Sequence, residues 1–352
     1  MGKVFSQLKE QERWVIEKLL YENCSISYIA KVIHKNKSTV SREIKRGTVT
    51  IFTSNFHEKE IYDAKAGQRV YKENRKNSYN KPKYKDDIEL MKTIERKVLY
   101  DKSSPRDVSY YLSDSKNIDI SYSTIYRYIK KKYFSKLKIK HLPCGGKNRY
   151  KKIYREQKSF NAGTNIYFRD DIINKRERFG DWEMDCIEGK KKVSNKVLFN
   201  LTERRTRISL LFLLDKHTGN EVVNVFNKLE NVFGKSFSTI FKSISTDNGH
   251  EFDKVEEIEN SLYNKNKRTN LYYCDAYKPY QKGTVENQNK LIRRHIKKGE
   301  NFDNISIEDI GYIKSWLNNY YRKIFNGKTA YQMLEKEFIT NNIDNKYLQL
   351  FR

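Results

Sequence analysis

Ser245-Thr-Asp247-Asn-Gly249-His-Glu-Phe252 and Pro279-Tyr-Gln-Lys-Gly283-Thr-Val-Glu286-Asn287 each set a carboxylate at a sharp structural transition. In the first, a short strand is expected to end at Thr246. Asn-Gly tolerates the positive φ of an abrupt turn, which leaves Asp247 at a sheet edge. In the second, a loop holding Pro279 and Gly283 opens a helix from about Thr284, with Glu286 near its start. A third acid stands upstream in Gly180-Asp-Trp-Glu-Met-Asp185. Strand alternation there puts Glu183, Asp185 and Ile187 on one face and Trp182, Met184 and Cys186 on the other. A buried strand carries two carboxylates only where something cationic neutralises them.

Around these acids, Asp181–Ile187, Val197–Thr202 and Arg207–Leu214 read as strands, the last two joined by the charged turn Glu203-Arg-Arg-Thr206. A helix near Asn220–Phe233 follows, then a strand ending at Thr246, another near Leu271–Cys274 and the helix of Glu286. That order is the one of a ribonuclease H-like α/β domain with a mixed sheet. Ile307–Leu334 reads as helical, a C-terminal extension. On the Glu286 helix, Asn289, Lys290, Arg293 and Lys297 share the acid's face, with Val285, Ile292 and Ile296 opposite. An acid among cations suits a site that holds metal and DNA together, with Lys290 and Arg293 as DNA contacts.

One acid among 44 is usually surface decoration. Three at matching elements of one α/β order are better read as a metal site. Hard oxygen donors select Mg²⁺, with Mn²⁺ able to substitute, over zinc. Two such ions about 3.5–4 Å apart drive in-line displacement at phosphorus. Glu183 is the nearest decoy for Asp185, Trp182 reads as core, and His250 reads as a surface histidine.

The chain of 352 residues has a formal net charge of +27, which points to a polyanionic partner. Residues 1–180 hold 42 of the 71 basic and 21 of the 44 acidic side chains, so the excess sits in the N-terminal half. The longest purely apolar β-like run, Leu210–Leu214, is far too short to span a bilayer. No signal peptide is visible, and Cys24, Cys144, Cys186 and Cys274 have no CxxC spacing. The expectation is a cytoplasmic, nucleoid-associated protein with no membrane partner.

Within that basic half, Leu8, Trp14, Val15, Leu19 and Leu20 form a helix-like apolar stripe. Ser25–Ile33, a break at His34–Lys37, and Ser38–Arg46 then match a helix-turn-helix with Ser38 as N-cap. Ser38, Thr39, Ser41, Arg42 and Lys45 would face DNA; the plainer reading is a helical hairpin with a solvated polar face. Ser104-Pro105 starts a second such unit, with Val108, Tyr111 and Leu112 inward. Its last helix, Tyr122–Lys130, would expose Ser123, Thr124 and Arg127. Lys131–Lys158, with 11 basic residues and one acid, cannot bury a core and reads as an arm along a phosphate backbone.

These motifs together resemble the DDE transposases of the insertion sequence 30 (IS-30) family, in the retroviral-integrase superfamily. The resemblance covers nearly the whole chain. Ser25–Arg46 is similar to the family's helix-turn-helix, and Ser104-Pro105 through Tyr126 to its second helical motif. Arg178–Asp185, Thr246–Phe252 and Asp275–Asn287 are similar to its catalytic blocks, and Leu317-Asn-Asn319 with Gly327-Lys-Thr329 to its tail. Carried over by position, the resemblance makes Asp185, Asp247 and Glu286 the acidic triad. It implies recognition of the element's terminal inverted repeats, attack of freed 3′-hydroxyls on target DNA, and a homo-oligomeric synaptic complex on double-stranded DNA.

The chain departs from the pattern in three places. The interval from Asp247 to Glu286 is lengthened by Asn260–Asn270, Tyr320-Tyr321-Arg322 replaces Arg-Pro-Arg, and Asn289-Lys290 replaces Asn-Gly.

The expected architecture is multidomain: all-α helix-turn-helix modules plus the ribonuclease H-like domain with its helical extension. It comprises a helix-turn-helix domain (1–48), a helical basic connector (49–98), a second helix-turn-helix-like domain (99–132), a basic arm (133–179), the catalytic domain (180–340) and a tail (341–352). The leading function is an active Mg²⁺-dependent transposase. The alternative is a catalytically silent, transposase-derived DNA-binding regulator. A general nuclease of this fold would leave two sequence-reading modules without a purpose.

Overall fold

The computed structural model describes residues 7–53, 55–77, 82–143, 145, 163–275 and 278–352. Residues 144 and 146–162 of the expected basic arm, Cys144 among them, lie outside the described residues. The chain divides into two compact units, Met1–Asp86 and Asp87–Arg352. The stretch 49–98 is therefore shared between them.

In the first unit, α1 (Glu10–Tyr21), α2 (Ile26–Val32) and α3 (Lys37–Gly47) are followed by the hairpin β1 (Thr48–Phe52) and β2 (Glu58–Tyr62), then α4 (Ala64–Asn77). Leu8, Ile16, Ile29, Ala30, Ile33, Val40, Tyr62 and Ala64 form its core. The stripe expected on α1 is corrected: Trp14 is 45% exposed and Val15 is also exposed, while Arg13 and Ile16 face inward. Arg13 is buried because its guanidinium is consumed by Glu43 Oε1 at 2.6 Å, Leu8 O at 2.9 Å and Gln68 Oε1 at 2.7 Å. The N-cap of α3 is Asn36, whose Oδ1 accepts from Ser38 N at 3.1 Å. Ser38 thus sits inside the helix, because Asn36 closes the preceding turn first.

The second unit opens with α5 (Ile88–Leu99), α6 (Pro105–Lys116) and α7 (Tyr122–Lys130). Ser104 caps α6 as expected, accepting from Asp107 N, with Pro105 in the first turn. Val108 and Leu112 are buried, and Tyr111 is half-buried. Asp107 is buried too, accepting from Tyr321 N, and Ser104 Oγ lies 2.7 Å from Tyr320 Oη. The trihelical segment is thereby fastened to the C-terminal region.

The short α8 (Asp171–Lys175) precedes the sheet of β3 (Asp181–Glu188), β4 (Val197–Glu203), β5 (Ser209–Leu214), β6 (Ser243–Thr246) and β7 (Asn270–Tyr273). Its order is β5-β4-β3-β6-β7, with β3, β4 and β5 antiparallel and β3, β6 and β7 parallel. This is the mixed ribonuclease H-like sheet expected from the element order. Between β5 and β6 lie α9 (Gly219–Phe233) and α10 (Phe237–Ile240); α11 (Val255–Glu259) precedes β7, and α12 (Gly283–Ile292) follows it. Gly180 enters β3 at φ +103, where an added Cβ would also meet Thr239 O at 2.9 Å.

Alternation sorts the sheet's side chains to two cores. Trp182, Met184, Phe199, Leu201 and Leu210 pack on α9, while Ile187, Leu198 and Leu211 pack against Ile292, Ile313 and Leu317. The expected helical run Ile307–Leu334 is broken into α13 (Ile307–Asn318) and α14 (Ala330–Thr340), with the ribbon β8 (Tyr321–Arg322) and β9 (Lys328–Thr329) between them. Asn326 and Gly327 turn that ribbon at positive φ. The chain's end returns to the core, where Phe351 is fully buried near Trp182, Phe233 and Phe338. Among the described residues, no helix is long and apolar enough to cross a membrane.

Candidate active site and nucleic-acid interface

Strand register brings the first two acids together. β3 and β6 pair Asp181 with Ser243 and Glu183 with Ser245. Carried on by two residues, that parallel register sets Asp247 level with Asp185, one step beyond the end of β6. Lys282, in the short turn before α12, closes the gap. Its Nζ lies 3.0 Å from Asp185 Oδ1 and 2.7 Å from Asp247 Oδ2. Asn289, two turns along α12, donates to the other oxygen, Asp185 Oδ2, at 2.6 Å, and is itself held by Asn200 Nδ2 at 2.7 Å.

Burial pushes the Asp185 carboxyl above its ordinary pKa; Lys282 pulls it back, and Asp247 adds to the rise. Burial works against the Lys282 charge, yet the two carboxylates outweigh it and raise its pKa. Glu286, in the first turn of α12, is half-buried. Its pKa is also raised, chiefly by burial, with Lys290 and Lys282 opposing and Asp185 and Glu183 reinforcing. Asp185 thus acts on Glu286, and Lys282 acts on both.

The second carboxylate of β3 is satisfied separately. Glu183 is fully buried, paired to Arg204 Nη1 at 2.5 Å, and accepts from Thr284 N and Val285 N at 2.8 Å each. Those two amides are free donors at the start of α12, so Glu183 fastens that helix to β3. With both its oxygens engaged, Glu183 anchors the element that carries Glu286.

Of the expected DNA contacts, Ser38, Ser41, Arg42 and Lys45 are exposed on α3 and Thr39 is half-buried. On α7, Ser123 and Arg127 are exposed and Thr124 is half-buried. Arg42 folds back onto Ser38 O at 3.0 Å. Lys290 is exposed, while Arg293 caps the end of β3 by donating to Glu188 O at 2.8 Å. Lys297 lies beyond α12, which ends at Ile292, and so leaves the shared face expected of it. His250 is 72% exposed and Trp182 is core.

Lys282 and Arg204 were missed in the sequence. The only available signal was that each acid of β3 needs a cation, and sequence does not say which. A groove between α6, α7 and α12 is lined by Arg106, Tyr122, Tyr126, Arg207, Asn287 and Arg294, with Arg106 4.5 Å over the Tyr122 ring.

Residues 5–47 match a family described as a helix-turn-helix domain. The catalytic core of BIV integrase aligns with 46% of this chain and 99% of its own, at 18% identity and a TM-score of 0.35. Over 351 residues the chain is 28% identical to transposase InsI of insertion sequence element IS30A from Escherichia coli K12, covering 94% of this chain and 84% of that one. With the transposase of element IS1086 from Cupriavidus metallidurans it shares 27% identity over 340 residues, covering 94% of each. The transposase of element IS4351 from Bacteroides fragilis is 30% identical over 326 residues, covering 90% of this chain and 91% of the relative. At that identity and coverage, the chain belongs to the family of insertion-sequence transposases that includes those of the IS30 elements.

Proposed function

We propose that the chain is a metal-dependent DNA strand-transfer enzyme with Asp185, Asp247 and Glu286 as its acidic triad, acting on the terminal inverted repeats of its own element and on target DNA. The observation that carries this is Lys282. One buried ammonium is drawn between carboxylates from two strands, so the pair already holds positive charge between them. The donors are hard oxygens, which suit Mg²⁺ and also Mn²⁺. When bound, such ions activate a water or 3′-hydroxyl and stabilise the leaving oxygen at phosphorus.

The chain's own residues supply the frame. Asn289 orients Asp185, Glu183 locks the start of α12, and a metal held by Asp185 and Asp247 would take over the charge that Lys282 supplies between them. Exposed Lys290 and the groove of Arg106, Arg207 and Arg294 run beside Asn287, where a phosphate backbone would meet cations. The α2–α3 pair reads DNA sequence in this proposal, α7 adds contacts, and the basic arm tracks the backbone. The functional partition is the one drawn from the sequence, and two or more copies join the element's ends in the nucleoid.

Strand transfer with Mg²⁺ on a DNA fragment bearing the terminal repeat from beside the gene tests this. Asp185→Asn, Asp247→Asn and Glu286→Gln are expected to lose joined product by at least about a hundredfold while still binding the repeat. Repeat-specific binding by the unsubstituted protein without product, under Mn²⁺ as well, would make it a DNA-binding regulator instead.

A further inference from the structure

On the opposite face of β3 from Asp185, a second cluster of metal-ligating side chains is built from three separate elements. Cys186 comes from β3, His217 from the turn between β5 and α9, and Glu251 from the short helical turn that follows Asp247. One donor atom from each, the Cys186 thiol, a His217 ring nitrogen and a Glu251 carboxylate oxygen, lie within 4.8 Å of one another. A tetrahedral zinc site with bonds of about 2.0–2.3 Å has ligand-to-ligand edges of roughly 3.3–3.8 Å. The observed cluster brackets that size, with its His217–Glu251 edge at 2.9 Å and every edge within 4.8 Å.

Two further observations separate this cluster from a chance meeting. His217 Nε2 lies 2.9 Å from Glu251 Oε1, yet it is a buried atom with no aligned hydrogen-bond partner among the described residues. The pair is thus close without a hydrogen bond that satisfies the imidazole nitrogen. Gly249 makes room for the carboxylate: a Cβ there would lie 2.5 Å from Glu251 Oε2. His250, exposed and with Nδ1 3.3 Å from Glu251 Oε2, sits at the solvent side.

We propose that Cys186, His217 and Glu251 form a zinc-binding site, distinct from the acidic triad. A thiolate, an imidazole and one carboxylate are a zinc donor set, whereas the triad is all oxygen. On binding, the Cys186 thiol gives its proton to solvent and its sulfur binds as thiolate, beside a His217 ring nitrogen and a Glu251 carboxylate oxygen. The ion ties β3, the β5–α9 turn and the turn after Asp247 into one piece. It would hold Asp247 in place against Asp185 from the far side of the sheet. The competing account is an ordinary His217–Glu251 ion pair beside a half-buried thiol.

Cobalt distinguishes the two. The full chain, stripped with a chelator, is titrated with Co²⁺ and followed by absorption. One equivalent is expected to produce a thiolate-to-cobalt charge-transfer band with tetrahedral d–d bands, displaced by Zn²⁺ and unmoved by excess Mg²⁺. Cys186→Ser should abolish the charge-transfer band, and His217→Gln should weaken Co²⁺ binding by about tenfold or more. Cys24→Ser, Cys144→Ser and Glu286→Gln should keep it. Absence of the band in the unsubstituted chain, or its survival in Cys186→Ser, overturns the proposal. Should Cys186→Ser fail to fold by circular dichroism, the His217→Gln affinity decides: unchanged binding overturns the site.

Discussion

At the scale of single residues, Lys282 is the one cation among the described residues that pairs with Asp185 and Asp247 together. Removing it leaves two adjacent carboxylates without a cation. Lys282→Gln is therefore expected to lower the stability of the metal-free protein by about 1–3 kcal/mol. Because Mg²⁺ would restore the missing charge, it should raise the melting temperature more in the variant than in the unsubstituted protein. Equal shifts would mean that these carboxylates do not hold the ion. Asp247 and Glu286 stand out in the sequence because each is at a transition that Gly, Asn or Pro announces, and Asp185 because it is a carboxylate inside a strand that is otherwise mostly buried. Lys282 does not, because it is one of 71 basic residues and only the loop's path selects it. Glu183 shows the same limit from the other side: its pairing with Arg204 and the α12 amides comes from distant segments.

At the scale of elements, α1 depends on a buried ion pair. Arg13 and Glu43 are each 1% exposed. Arg13→Ala would leave Glu43 paired only to the part-exposed Arg46 among the described residues and should cost about 3 kcal/mol in the first unit. Arg13→Met with Glu43→Leu should recover most of it, as denaturant unfolding of the full chain would read. Just after α12, His295 stacks edge-on against Trp316 at 4.4 Å, and its Nε2 is buried without a partner among the described residues. Burial first, then Lys102 and Arg294, lower its pKa to about 4. The unfolded chain takes up that proton near pH 6.5, the folded chain only near 4. His295 therefore carries no penalty above pH 6.5, costs increasing stability as pH falls toward 4, and adds nothing further below. His295→Gln should unfold less steeply with acid across that window, by about 1 kcal/mol at its foot once partial exposure is discounted. Parallel pH curves for the two proteins would remove this assignment. Periodicity marked α2, α3, α6 and α7, but not the β1–β2 hairpin or the ribbon between α13 and α14; the inward face of α1 was misread because a buried arginine replaced an apolar residue in the stripe.

At the scale of the whole molecule, the net charge of +27 is concentrated before residue 181. Repeat binding should follow counterion release, log K falling linearly with log salt at about −0.9 per phosphate neutralised. With six to ten such contacts, affinity should drop about 10³–10⁵-fold between 50 and 200 mM salt, as fluorescence anisotropy would measure. A shallow slope would place the basic excess away from DNA. Neutralising Arg42 and Lys45 together should reduce the slope by about two if both meet phosphate.

By itself the sequence determined the order β3, β4, β5, α9, β6, β7, α12 in the second unit, the helix-turn-helix, the helix start at Ser104-Pro105, and the elements that carry the candidate acids Asp185, Asp247 and Glu286. These are local properties: periodicity, turn chemistry and charge are written within a few residues. Tertiary structure alone decided which cation neutralises which acid, that α4 and a hairpin complete the first unit, and that Phe351 fills the core around Trp182. It also decided that Cys186, His217 and Glu251 meet. Those outcomes depend on register between strands and on the path of loops, where groups tens of residues apart are joined by geometry that no local pattern encodes.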